Sequence, residues 1–262
     1  MQVAFVGETA RSLPLVLRRG LQAAFVVGVI LTWEMLFRLE LLDPLFVAPP
    51  GNVLRAAYEH LVGKELWRHF WITMSEIGAA YVIAAVSGVG LGLVVGVRRY
   101  LRTVLDPFVV NFYAIPKITL FPLFVLWFGV GLNSKIAFGA IHGFFPLFIL
   151  TVAGVRDVRA SVLATARAFG AEGPNLYLKV LLPSITPSVL SGARLALIYT
   201  VVGVLLAEMA VSSAGLGKLL TQYASSFLPA NLYAVALITA SFTVIANQLL
   251  YALERRANRW RT

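Results

Sequence analysis

Apolar residues run in long blocks along this chain, and charged residues fall mostly between them. Blocks over 20–39, 71–97, 105–128, 134–153, 188–210 and 232–253 each contain at most two charges. A helix needs roughly 20 apolar residues to cross a bilayer core. In lipid only helices or closed barrels satisfy every backbone group. The pattern predicts an all-α membrane protein with about six transmembrane helices in a single domain over 1–262.

The blocks differ in texture. Residues 1–19 form a short leader with Arg11, Arg18 and Arg19. The first block follows it without a small-x-small cleavage site, and is read as a retained span. Pro49-Pro50-Gly51 marks a loop and helix start, followed by a surface helix over 52–66. In the second block Gly88, Gly92 and Gly96 recur every four residues, continued by Ala80 and Ala84. Such a stripe lets helix backbones approach closely in lipid. A nucleotide-binding reading of its glycines fails for want of a strand–turn–helix context. Pro107, Pro116 and Pro122 are expected to break the third block, because proline removes a donor and clashes one turn back. Residues 212–230 hold a Gly215-Leu-Gly217 turn and a short re-entrant or surface helix.

One polar-containing segment, 155–187, interrupts two strongly apolar blocks. Val158, Val162, Ala166 and Phe169 recur at helical spacing. Gly170 is placed to end that helix with positive φ. Pro174 opens a second helix and Pro183 is expected to stop it. The product is a basic helix–turn–helix knob suited to being gripped by another protein.

Composition sharpens the picture. Of 262 residues 59% are hydrophobic and 13% charged, with a mean hydropathy of +0.83. A soluble domain carries about 25% charged residues. The net charge of +10 is explained by topology. Fifteen of the 22 Lys and Arg fall in the leader, the 98–102 loop, the knob with Arg194, and the tail. Six (Arg38, Arg55, Lys64, Arg68, Lys135 and Lys218) fall in the alternate loops, and Lys117 lies inside a span. The positive-inside rule then puts both termini and the knob in the cytoplasm, and leaves no reason to invoke nucleic acid. Cysteine is absent, which excludes disulfides and thiolate metal sites.

Catalytic chemistry is not legible. There is no Walker A pattern, since Gly217-Lys218 lacks the upstream glycine and the hydroxyl residue. His60, His69 and His142 show no ligand spacing, and His142 reads as a packed, hydrogen-bonded residue. No catalytic residue, metal or cofactor is expected. Ionisable residues inside spans are costly and tend to face cavities or partners. They are Glu34, which can pair with Arg38 one turn on, Glu76, Lys117, Arg194, which can snorkel to the interface, and Glu208. Lys117 either presents a charge to an anionic substrate or sits at a kink.

The knob resembles the coupling loop of permease subunits of bacterial ABC importers. The resemblance lies in Gly170, nine intervening residues, then Val180-Leu181-Leu182-Pro183. Where that family usually has Glu-Ala-Ala, this chain has Ala164-Thr165-Ala166, without the acid. Further motifs are similar to the nitrate, sulfonate and taurine importer group. They are APPG (48–51), IPKITLFPLFVLWFGVG (115–131), FFPLF (144–148), GVRDV (154–158), AEM (207–209) and GLG (215–217). The resemblance implies a type I ABC importer permease fold in a bacterial inner membrane. It implies a homodimer, two cytoplasmic ATP-binding subunits gripping 164–170 (Ala164, Thr165, Ala166, Arg167, Ala168, Phe169, Gly170) with Pro183, and an extracytoplasmic binding protein. Lys117 and Glu208 are the candidates for the path. The group moves small anions and some uncharged heterocycles. An ion-coupled secondary transporter also fits six spans with buried charges, but calls for an internal repeat, and none is visible.

Overall fold

In a computed structural model, which describes residues 15–257, every regular element is helical. The first long helix, α1, is Leu15–Arg38, and α2, Pro50–Val62, is short and amphipathic. The next, α3, Lys64–Val97, has 34 residues, about 50 Å at roughly 1.5 Å per residue. Then come α4 (Arg99–Ala114), a 3-10 turn (Lys117–Leu120), α5 (Phe121–Phe128) and α6 (Leu132–Arg156). The knob holds α7 (Ala160–Ala168) and α8 (Gly173–Leu176). A π-helical turn (Tyr177–Leu181) leads into α9 (Leu182–Val211), followed by α10 (Leu216–Ser225) and α11 (Pro229–Ala257). Among the described residues five helices are long and apolar enough to cross a membrane, or six if the bent α4–α5 pair is one span. Residues 1–14 of the expected leader lie outside the described part.

The core is a stack in which α6 packs between α3 and α9. The small-residue stripe of α3 is what allows it. Gly88, Gly92 and Gly96 face Leu147, Thr151 and Val155 of α6, and a Cβ on Gly92 would come 2.7 Å from the Thr151 Cβ. Small residues on α6 repeat the device: Gly139 meets Ala80 and Val204, and Gly143 meets Ala84, Ala196 and Thr200. Backbone-close packing replaces the hydrophobic driving force that lipid cannot supply. In the middle of this stack His142 is buried, and its Nδ1–H donates to the Phe138 carbonyl at 2.8 Å. On the periphery, α2 buries Val53 and Ala56 against Ala234 of α11. Most of α1 is exposed.

The prolines behave differently from expectation. Pro107 lies inside α4 without ending it, and Pro122 sits in the first turn of α5, where its missing donor costs little. The break is at Pro116, where the two halves meet at 90°. The Pro116 carbonyl is satisfied there by the Thr119 N–H at 3.0 Å and the Thr119 hydroxyl at 2.7 Å. Pro183, expected to stop the second knob helix, does not. The wide turn over Tyr177–Leu181, closed by the Leu182 N–H on the Tyr177 carbonyl, carries the helix past it, and Pro183 falls in the first turn of α9. A π turn offsets the one-turn-back clash that a proline otherwise imposes. The helix that carries the fifth span therefore runs on from the knob, from Gly173 to Val211, and begins well before the expected 188.

Candidate functional site

Three groups of polar residues stand out: one at the knob end, one at the opposite end, and one midway.

At the knob, α7 ends in a Schellman arrangement. Gly170 has φ +79°, its N–H donates to the Arg167 carbonyl at 2.9 Å, and the Ala171 N–H reaches the Ala166 carbonyl at 2.9 Å. No atom lies within 4 Å of a Cβ placed on Gly170. Ala164, Thr165, Arg167, Ala168 and Phe169 are exposed, Ala166 is half-buried, and Pro183 is exposed. Phe169 is 86% exposed. The apolar stripe read from the sequence is split: Val162 and Phe169 are exposed, while Ala166 is half-buried and Val158 packs on the knob's inner cluster. The knob body is tied down by Val155, Leu181 and Ile185, which pack together.

At the far end of α9 a buried polar cluster holds the loop before α10. Glu208, fully buried, accepts the Thr73 hydroxyl of α3 at 2.7 Å on Oε1 and the Gly217 N–H at 2.7 Å on Oε2. Thr73 in turn accepts the Leu216 N–H at 2.8 Å, and His69 Nδ1 accepts the Gly215 N–H at 2.8 Å. Gly215 has φ +121°, and a Cβ there would overlap the Glu208 carboxylate. Beside it Lys135 of α6 pairs with Glu76 of α3 and donates to the Ser212 hydroxyl at 3.1 Å. Lys135 reads from the sequence as a loop cation, but is buried. Its partner is distant in sequence and reachable only once α3 and α6 are aligned. Glu208, expected on the path with Lys117, here clamps a loop.

Midway, Lys117 stands at the 90° break. Its Nζ donates to the Tyr113 carbonyl at 3.2 Å and lies 4.7 Å from the Tyr113 ring centroid and 5.2 Å from that of Phe145. The Tyr113 hydroxyl donates to the Tyr199 hydroxyl of α9 at 3.3 Å. Two further span charges hold opposite partners: Glu34 accepts from Arg38 at 2.7 Å. Arg194, expected to snorkel, donates to Glu254 of α11 at 2.8 Å and lies over the Tyr251 ring. No cluster of three metal-ligating side chains exists among the described residues.

Comparison with known proteins decides the family. A family of binding-protein-dependent transport system inner membrane components matches residues 88–259. The chain belongs to that family. The taurine transport system permease protein TauC of Escherichia coli K12 is 30% identical over 241 residues, covering 89% of this chain and 87% of that protein. A putative aliphatic sulfonates transport permease protein of Bacillus subtilis is 29% identical, covering 89% and 84%. The riboflavin transport system permease protein RibX of Chloroflexus aurantiacus is 31% identical, covering 83% and 81%. The fold matches a chain of the inward-facing MetNI methionine ABC transporter with TM-score 0.67 at 21% identity, over 74% of this chain and 97% of that one. This inner-membrane component is thus the permease subunit of an ABC importer with a type I fold, and ATP-binding and substrate-binding proteins are its partners.

Proposed function

We propose that two copies of this permease form one translocation path, with ATP hydrolysed by two separate cytoplasmic subunits and solute delivered by an extracytoplasmic binding protein. Both termini and the knob lie in the cytoplasm in this reading, which the placement of fifteen basic residues supports, and residues 1–262 act as one transmembrane domain. The observation that carries it is the knob: an exposed helix α7, ended by Gly170, with Phe169 almost wholly in solvent. A side chain so apolar and so exposed gains most by entering a partner's pocket. Ala164 to Gly170 make the contact with the ATP-binding subunit, and Pro183 starts the span that carries the motion inward. No acid occupies position 164, so the charge this segment brings to the joint is that of the exposed Arg167, beside apolar and backbone contacts.

The solute is a small anion such as a sulfonate, taurine or nitrate. Support comes from the taurine and sulfonate relatives and from Lys117 at the helix break. Lys117 lines the path, and Glu208 acts at its outer end by holding the α10 loop. ATP binding draws the two knobs together and opens the path outward; hydrolysis returns it inward.

The test is uptake into vesicles with the ion gradient clamped and ATP depleted. An ABC importer stops. Uptake that continues on the clamped gradient would identify an ion-coupled carrier instead.

A further inference from the structure

We propose that Lys117, Tyr113 and Tyr199 form an anion-binding station on the translocation path, built for a singly charged oxyanion such as a sulfonate or nitrate. It rests on the importer reading above and adds to it a site and its chemistry.

The station sits at mid-depth. Phe145, which floors it, lies near the centre of α6, and Tyr199 is next to Thr200, which packs on Gly143 of the same helix. A lysine facing lipid at that depth is costly, so such a residue faces a cavity or a partner. Lys117 is half-buried, and Tyr113 and Tyr199 are 37% and 39% exposed. The Tyr113 ring lies beside the Lys117 ammonium and its hydroxyl meets that of Tyr199, so the three form one partly exposed group. No carboxylate pairs with Lys117 among the described residues, whereas Glu34, Glu76 and Glu254 each hold a basic partner. The charge at the break is thus left for a ligand.

The donor arithmetic points the same way. An ammonium has three N–H groups, and among the described residues only the Tyr113 carbonyl takes one. The two hydroxyls share one proton between them at 3.3 Å, leaving the second to point outward. Two ammonium donors and one hydroxyl donor are left free, and the ammonium lies beside two aromatic rings, which partly replace water around the cation. One positive charge and three donors match a monoanion with several oxygens. Binding of this kind is weak enough for release, as a transit site needs.

The experiment uses the importer assembled with its own ATP-binding and binding-protein partners in proteoliposomes. ATP-driven uptake of labelled ethanesulfonate and nitrate is compared with riboflavin as an uncharged solute. The wild type should accumulate at least one of the anions. Lys117→Gln should lower that uptake by about tenfold or more, the scale of a lost hydrogen bond to a charged group, while the ATP-binding subunit still copurifies. Lys117→Arg should restore most of it, and Tyr199→Phe should lower it by about threefold or more. Should Lys117→Gln fail to assemble, Tyr199→Phe decides alone. Undiminished anion uptake in Tyr199→Phe, or wild-type uptake confined to riboflavin, would overturn the station. Failure of the importer reading shows separately, as wild-type uptake indifferent to ATP, and would overturn both.

Discussion

Lys135 of α6 and Glu76 of α3 form an ion pair with side chains 8% and 0% exposed, so the two helices are joined at one end by buried charge. Beyond it, small residues on both helices let them pack closely. The pair also reaches the α10 loop through Ser212. Removing one partner strands the other in a dry site, which typically costs about 3–5 kcal/mol. Lys135→Met is therefore expected to lower thermal stability in detergent sharply. The double variant Glu76→Gln/Lys135→Met should recover much of the loss, a coupling that a double-mutant cycle measures.

The stripe itself makes a paired prediction. A methyl on Gly92 meets Thr151 at 2.7 Å, while the space around Gly90 is open. Gly92→Ala should destabilise by about 1–3 kcal/mol through forced separation of α3 and α6. Gly90→Ala should be neutral or stabilising by up to about 1 kcal/mol. Equal effects at both positions in thermal unfolding would contradict the close-packing account.

Glu208 holds Gly217 and Thr73, and Thr73 holds Leu216. Glu208→Ala leaves the buried Gly217 N–H without its acceptor, at about 1–3 kcal/mol, and leaves the Thr73 hydroxyl only the His69 carbonyl at 3.2 Å. The loop over 212–217 should then become susceptible to limited proteolysis, with the long helices still protected. Unchanged cleavage in that variant would show that the clamp is dispensable.

Gly170 offers a substitution that separates folding from coupling. Its φ of +79° excludes a β-branched residue, yet nothing crowds it. Gly170→Val should insert normally and lose ATP-driven uptake. Gly170→Asn, which tolerates the left-handed region, should keep most of it. Normal uptake in the valine variant would sink the role given to this turn.

The spans, the stripe on α3 and the turn at Gly170 were legible because each follows from local pattern: apolar length, a four-residue repeat, a glycine after a helical run. The buried pairs were not. Lys135 stands just after a Gly-rich turn and reads as a solvated cation, and Arg194 meets Glu254 only after α9 and α11 align. Proline misled for a related reason. Its cost depends on whether the neighbouring turn can widen, as the π turn before Pro183 does, or whether the site is a first turn already. Glu208 reads from the sequence as a costly charge within a span. Its service to the α10 loop depends on Thr73, far away in sequence.

In the proposed importer the exposed knob between α6 and α9 is where an ATP-hydrolysing partner attaches. The most direct measurement is gentle purification from native membranes, with mass spectrometry of the proteins retained. A stoichiometric ATP-binding subunit, lost when 164–170 is altered, is the predicted result. A chain that purifies alone, under conditions that preserve other membrane complexes, would contradict it.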